Sequence, residues 1–257
     1  MMTIWNSKVV GMWEIGVDEA GRGPVLGPLV VASCAIPRED IPLLKEIGVK
    51  DSKYLSSKRR KEIEAWFNEQ SQTRGWKKFL VNCTPKRIDM ALMADGLNWL
   101  EVRAFGEALT GLELREQVNI TNDACDVNEM RFTQRISEQL QSWPWRDSQM
   151  QSFHKADEHY PIVSMASILA KEERDRCIAE LASSIGQPIG SGYPSDPNTK
   201  KALPLFISDD GIHDDVRWGW ATATRFWSEN CKGDVPVRGA PRTVQHSLFD
   251  QDDASIS

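Results

Sequence analysis

The stretch GVDEAGRGPVLGP, residues 16–28, puts four glycines, two prolines, one arginine and an acidic pair into a short span. Just before and within it, Ile15 and Val17 place apolar side chains on one face of a strand. Period-two alternation then turns Asp18 to the opposite face at the strand's end. The glycines and prolines interrupt the strand, and Leu29 to Ile36 resumes as a continuous apolar run. Two sheet strands joined by a turn therefore open the domain. In the turn, Gly21 and Gly23 flank Arg22, which lets the backbone come close to a ligand with N–H groups free to point at it. The adjacent carboxylates of Asp18 and Glu19 suit a hard cation, although an Asp-Glu pair is also common in an ordinary solvated turn.

Outward from this stretch, residues 58–70 are charged, with Ile63, Trp66 and Phe67 at helical spacing, and residues 78–81 return to strand character. Thr84 followed by Pro85 reads as an N-cap with proline at the first helical position. The helical pattern then runs to Leu109 with a break near Gly96. Residues 118–122 suggest a short strand and 131–141 a helix. Pro161 opens a long helix to about Ser184, stopped by Gly186. A loop rich in turn residues, 191–200, precedes two short helices at about 200–206 and 218–230. This alternation predicts an α/β fold, a mixed sheet flanked by helices with helical additions at the C-terminal side. The expected organisation is a main domain over 1–205, a helical extension packed on it over 206–231, and a flexible tail over 232–257.

Composition excludes several classes. No apolar run in the 257 residues approaches the roughly 18 needed to span a bilayer. A net charge of -6 argues against coating nucleic acid through bulk positive charge. The five cysteines are an odd number, widely spaced and without a CxxC pair, so they predict reduced thiols rather than a disulfide frame or a zinc ribbon. The start of the chain lacks the apolar core of a signal peptide, and a cytoplasmic location is expected. Ten tryptophans are many for this length, and their placement in apolar or helical stretches predicts packing roles.

Two further acidic positions join the first pair. In VNITNDACDVNEMRF, residues 118–132, Val118 and Ile120 share one strand face, while Asn119, Thr121 and Asp123 share the other. Asp123 thus ends a strand as Asp18 does, with Asp126 as the competitor. In FHKADEHYPIVSMASILAKEERD, residues 153–175, Asp157 precedes the long helix and follows Lys155. His154 and His159 lie close by and read as structural or peripheral.

GVDEAGRGPVLGP, KDSKYLSSKRR, NDACDVNEMRF, HKADEHYPIVSMASILAKEERD and GSGYPSDP, in this order and spacing, resemble the type 2 ribonuclease H family, ribonuclease HII, in its archaeal-like branch. The match runs from about Ile15 to Trp220. It implies a ribonuclease H-like catalytic domain whose four catalytic, metal-holding carboxylates correspond to Asp18, Glu19, Asp123 and Asp157. Oxygen-only ligands suit two Mg²⁺ or Mn²⁺ ions, which can activate a water and stabilise a leaving 3′ oxygen. The resemblance also implies endonucleolytic cleavage of RNA in RNA/DNA hybrids. Nicking on the 5′ side of ribonucleotides embedded in duplex DNA follows as well, leaving 3′-OH and 5′-phosphate ends, as ribonucleotide excision repair requires. Gly21, Arg22 and Gly23 would contact the ribonucleotide, and Tyr193 would read its 2′-OH, the one sugar group that separates RNA from DNA. Ser52, Lys53 and Lys155 complete the implied substrate contacts. Asn98 and Glu101 also match family positions without an assigned role. Asn122 and Met165 depart from the pattern, where an apolar residue and an alanine are usual.

Between Lys45 and Arg87 there are 12 Lys or Arg and 5 Asp or Glu, a local surplus of 7 suited to a phosphate backbone. In the tail, Gln245, Leu248 and Phe249 of QHSLF resemble a short motif that binds replication sliding clamps, and a monomer is expected. Two other readings stay open on sequence: a non-catalytic hybrid-binding or clamp-associated protein, and another nuclease or transposase of similar fold. Intact carboxylates count against the first, and the GRG and GYP motifs against the second.

Overall fold

The computed structural model describes residues 12–49, 54–115, 117–145 and 147–239. β1 (Trp13–Ala20) pairs antiparallel with β2 (Leu29–Pro37), and β3 (Lys77–Cys83) continues antiparallel beyond β2. On its other side β1 pairs parallel with β4 (Val118–Asp123), which pairs parallel with β5 (Gln149–Phe153). The result is a mixed five-stranded sheet in the order β3-β2-β1-β4-β5.

Alternation of side chains sorts its two faces. Ile15, Val17, Leu29, Val31, Val118 and Ile120 pack beneath α3 (Pro85–Met93), α4 (Leu97–Gly111) and α5 (Glu129–Ser137), with Phe105 and Phe132 edge to face between the helices. Val30, Ala32, Cys34 and Ile36 face α1 (Ile41–Glu46), α2 (Ser57–Arg74) and the long α7 (Pro161–Ile185). A Cβ at Gly16 would lie 2.3 Å from the Ile162 carbonyl oxygen, so its absence lets α7 start directly against β1.

Most predicted elements are present. Thr84 caps α3, its hydroxyl accepting from the Arg87 amide, and Gly96 breaks α3 from α4 at φ +90°. Gly186 ends α7 in the left-handed region. The helix expected at 200–206 starts earlier, as α8 (Pro197–Ala202), because the Asp196 carboxylate caps it at the Asn198 amide. β5 was not expected: of QMQSF only Ser152 is buried, so this edge strand lacks an apolar face to read. All nine described tryptophans are buried or half-buried, in line with packing roles.

A third core joins Val25 and Leu26 of the opening turn to Ile178 and Leu181 of α7 and to Phe206, Val216, Ala223 and Trp227. The segment expected as an extension therefore shares a core with residues 16–28, through α9 (Ala221–Asn230) and the loop before it. The boundary drawn at residue 232 also moves. Arg238, expected in the flexible tail, is buried, with Nε donating to Asp89 at 2.9 Å and Nη1 to Asp214 at 2.6 Å. Among the described residues no helix is long and apolar enough to cross a membrane.

Candidate active site

The register explains why distant acids meet. Val17 and Asn122 are the last pair of the parallel β1 and β4, so Asp18 and Asp123 follow it side by side, Asp123 at the end of β4 and Asp18 two residues before the end of β1. The next parallel strand, β5, ends at Phe153 and leads into α6 (Ala156–His159), whose second residue is Asp157. The Ala156 amide donates to Asp123 Oδ1 at 2.6 Å and ties this helix to β4. Carboxyl ends of neighbouring parallel strands are the usual place for a site in an α/β sheet.

Oxygens of Asp18, Glu19 and Asp123 lie within 4.8 Å of one another. A cavity of about 430 Å³ is lined by these three and by Asp157, Ser167, Lys171, Arg60, Tyr193 and the turn 21–23. Asp18, on the α7 face as its strand phase requires, is buried and held well above the usual carboxylate range. Burial is the main cause, followed by the charges of Glu19 and Asp123, against a lowering hydrogen bond from Ser167. Burial, then Glu101 and Asp123, push Glu19 to about 8, with Arg22 opposing. Carboxyl groups that resist ionisation together, with oxygen-only donors, fit a hard divalent cation.

The turn Gly21-Arg22-Gly23 forms one rim. Gly21 has φ +89°, and a Cβ there would meet Arg174 and the Pro28 carbonyl at 2.8 Å. Arg22 Nε lies 3.2 Å from Glu101, and its other nitrogens donate to Asn98 Oδ1 at 2.7 Å and to the Cys125 carbonyl at 2.9 Å. Glu101 is wholly buried and raised to about 7, chiefly by burial, with Arg22 opposing. Left without a role from sequence, Glu101 thus fixes the Arg22 side chain. Its signal was a lone carboxylate on the apolar face of a helix, at i+4 from Leu97 and i-4 from Phe105.

Tyr193 stands opposite, the place for a Gly23 Cβ being 3.7 Å from its ring, and Arg174 stacks over that ring at 4.8 Å. The Val25 amide donates to the Gly192 carbonyl at 2.9 Å, so the two loops are fastened together. Arg217 and Trp220 also reach the turn, and nothing in the local pattern signalled them.

Other predicted positions are arranged differently. Lys155, at φ +57°, is exposed and pairs with Glu158 at 3.1 Å rather than lining the cavity. Asp126 turns away into ion pairs with Arg131 and Arg135, which hold it below its ordinary pKa. His154 donates from Nε2 to the Asp126 carbonyl, 2.8 Å away, outside the cavity. Within the basic stretch, Arg60 is buried against Glu172 at 2.7 Å and Asp175 at 3.2 Å. Arg74 pairs with Asp40 and Arg87 with Glu107, acids outside the stretch, so part of the local surplus is neutralised by the protein itself, while Arg59 and Lys78 pair with Glu62 and Glu64, which that surplus already counts. Asn122 is buried, its amide nitrogen 3.2 Å from Ser152 Oγ, which also accepts from Thr133. Met165 is buried among the α7 core residues. Ser52, Lys53, Gln245, Leu248 and Phe249 lie outside the described residues.

The family model described as Ribonuclease HII matches residues 15–223. A Ribonuclease HII from Methanococcus maripaludis is 39% identical over 226 residues, 87% of this chain and 89% of that protein. The crystal structure of ribonuclease H2 from Pyrococcus horikoshii superposes with a TM-score of 0.73 at 38% identity, covering 85% of this chain and 98% of that one. The structure of a PCNA:RNase HII complex from Archaeoglobus fulgidus gives 0.67 at 35% identity, covering 80% and 94%. With its carboxylates at parallel strand ends and matches across most of its length, the chain belongs to the ribonuclease HII family, metal-dependent type 2 ribonucleases H that cut RNA in RNA/DNA hybrids.

Proposed function

We propose that Asp18, Glu19, Asp123 and Asp157 are the catalytic carboxylates and that the chain nicks a duplex on the 5′ side of a ribonucleotide, including a single one embedded in DNA. The observation that carries this reading is the meeting of Asp18, Glu19 and Asp123 within 4.8 Å in a cavity rimmed by the turn 21–23 and Tyr193. Two Mg²⁺ or Mn²⁺ ions bound by these carboxylates would supply Lewis-acid activation of water and of the leaving 3′ oxygen. The chain's own part is to hold the acids in register through β1, β4 and α6, and to hold the sugar. The Arg22 and Gly23 amides contact the ribonucleotide, Tyr193 reads the 2′-OH, and the products carry 3′-OH and 5′-phosphate ends. Ser52 and Lys53 contact the phosphate backbone.

A duplex carrying one ribonucleotide, incubated with Mg²⁺ or Mn²⁺ and resolved on a denaturing gel, should give one nick on its 5′ side. Asp18→Asn should lower the rate by about 10²–10³-fold, the scale of losing one charge-stabilising group. No nick, or undiminished nicking by Asp18→Asn, overturns the reading.

The tail is proposed to bind a sliding clamp through Gln245, Leu248 and Phe249, supported by the Archaeoglobus relative having been solved with PCNA. Capture by the cognate clamp should be lost on combining Leu248→Ala with Phe249→Ala, and unchanged capture rejects this assignment.

A further inference from the structure

Behind the turn 21–23, on the side away from the cavity, lies a wholly buried arginine. Arg217 donates from Nη2 to the Gly21 carbonyl at 2.6 Å, from Nη1 to the Arg22 carbonyl at 2.9 Å and from Nε to the Gly27 carbonyl at 3.1 Å. Its guanidinium stacks on Trp220 at 4.8 Å, and Trp220 Nε1 donates to the Gly23 carbonyl at 3.2 Å. Two residues nearly two hundred positions downstream thus hold all three carbonyls of the turn.

A trans peptide points its carbonyl and the following N–H in opposite directions. Fixing the Gly21 and Arg22 carbonyls on the rear side therefore aims the Arg22 and Gly23 amides forward. Those two amides make no hydrogen bond among the described residues, and both residues line the cavity. Arg217 has no ion pair with a carboxylate among the described residues. A guanidinium removed from water without a counter-charge is costly, and here its hydrogen bonds go to the turn's carbonyls. The loop carrying Arg217 is itself anchored: Asp89 of α3 accepts the Trp218 and Gly219 amides, both at 3.0 Å, and Arg238 braces Asp89.

We propose that Arg217 and Trp220 are positioning residues that set the turn 21–23 for ribose recognition, so the preference for a ribonucleotide over a deoxyribonucleotide depends on the C-terminal segment. This rests on the reading of that turn as the ribonucleotide contact.

The test measures affinity by fluorescence anisotropy, with Ca²⁺ present to keep the strand intact, for a duplex with one ribonucleotide and for the same duplex in all-DNA form. Arg217→Lys keeps a positive charge but cannot span three carbonyls, while Trp220→Phe keeps an aromatic ring beside Arg217 and removes the donor to Gly23. Each variant should lower the ribo-to-deoxy affinity ratio by about tenfold, the scale of one or two lost hydrogen bonds. Thermal unfolding of the same samples separates this from a stability effect, and Trp220→Phe carries the test if Arg217→Lys fails to fold. A wild-type ratio retained in the folded variants overturns the inference alone. A wild-type protein with no preference between the two duplexes overturns the reading of the turn, and the inference with it.

Discussion

Glu19 stands between two demands: burial and the charges of Glu101 and Asp123 oppose its ionisation, while Arg22 favours it. Repulsion and burial win, moving it from 4.5 to about 8. Between those values the unfolded chain has released a proton that the folded chain keeps, so the metal-free protein loses stability as pH rises across this window. Glu19→Gln removes that titration. The variant should match wild type in Tm near pH 5 and exceed it by about 3 °C or more near pH 8 without metal. Saturating Mg²⁺ should raise wild type more than the variant; an equal Tm difference at both pH values refutes the account. At this scale Asp18 and Asp123 were legible because strand alternation dictates which face a residue takes. The burial of Arg60 was not, since its partners Glu172 and Asp175 lie more than a hundred positions away.

The contact of α7 with β1 governs the site at the level of elements. Gly16 admits the start of α7, and that helix carries Ser167 to Asp18. Gly16→Ala places a methyl group 2.3 Å from the Ile162 carbonyl oxygen, so strand and helix must separate. The expected cost is about 1–3 kcal/mol in urea unfolding, with nicking reduced even where the protein stays folded. Unchanged stability would mean that the helix start yields freely. Elements with an apolar stripe or a capping signal were readable in the sequence. β5 was not, because an edge strand with one buried side chain is specified by its pairing to β4 rather than by its own pattern. It nevertheless delivers Asp157 to the cavity.

Across the whole molecule, the ordered body extends past the expected tail boundary because Arg238 closes on Asp89. A chain ending at residue 239 should keep the Tm and the nicking rate of the full chain on free duplex. A chain ending at residue 231 leaves Asp89 buried without its arginine and should lose about 3–5 kcal/mol, read by calorimetry or urea titration. Equal stability of the two would remove Arg238 from the account. The overall charge of -6 argues against coating nucleic acid through bulk positive charge, and the basic stretch 45–87 suggests a local phosphate track. Ion pairs to acids outside that stretch reduce the second argument, so the fit to a duplex rests more on the cavity rim than on a positive surface.

The hold of Arg217 and Trp220 on the opening turn also sets an order of events during translation. Residues 18, 123 and 157 have all left the ribosome before residues 217–220 are made, yet the turn at 21–23 cannot receive its rear hydrogen bonds until they emerge. A turn synthesised early is thus among the last parts of the site to reach its final set of contacts, and a nascent chain carries its acids well ahead of a fully braced turn 21–23.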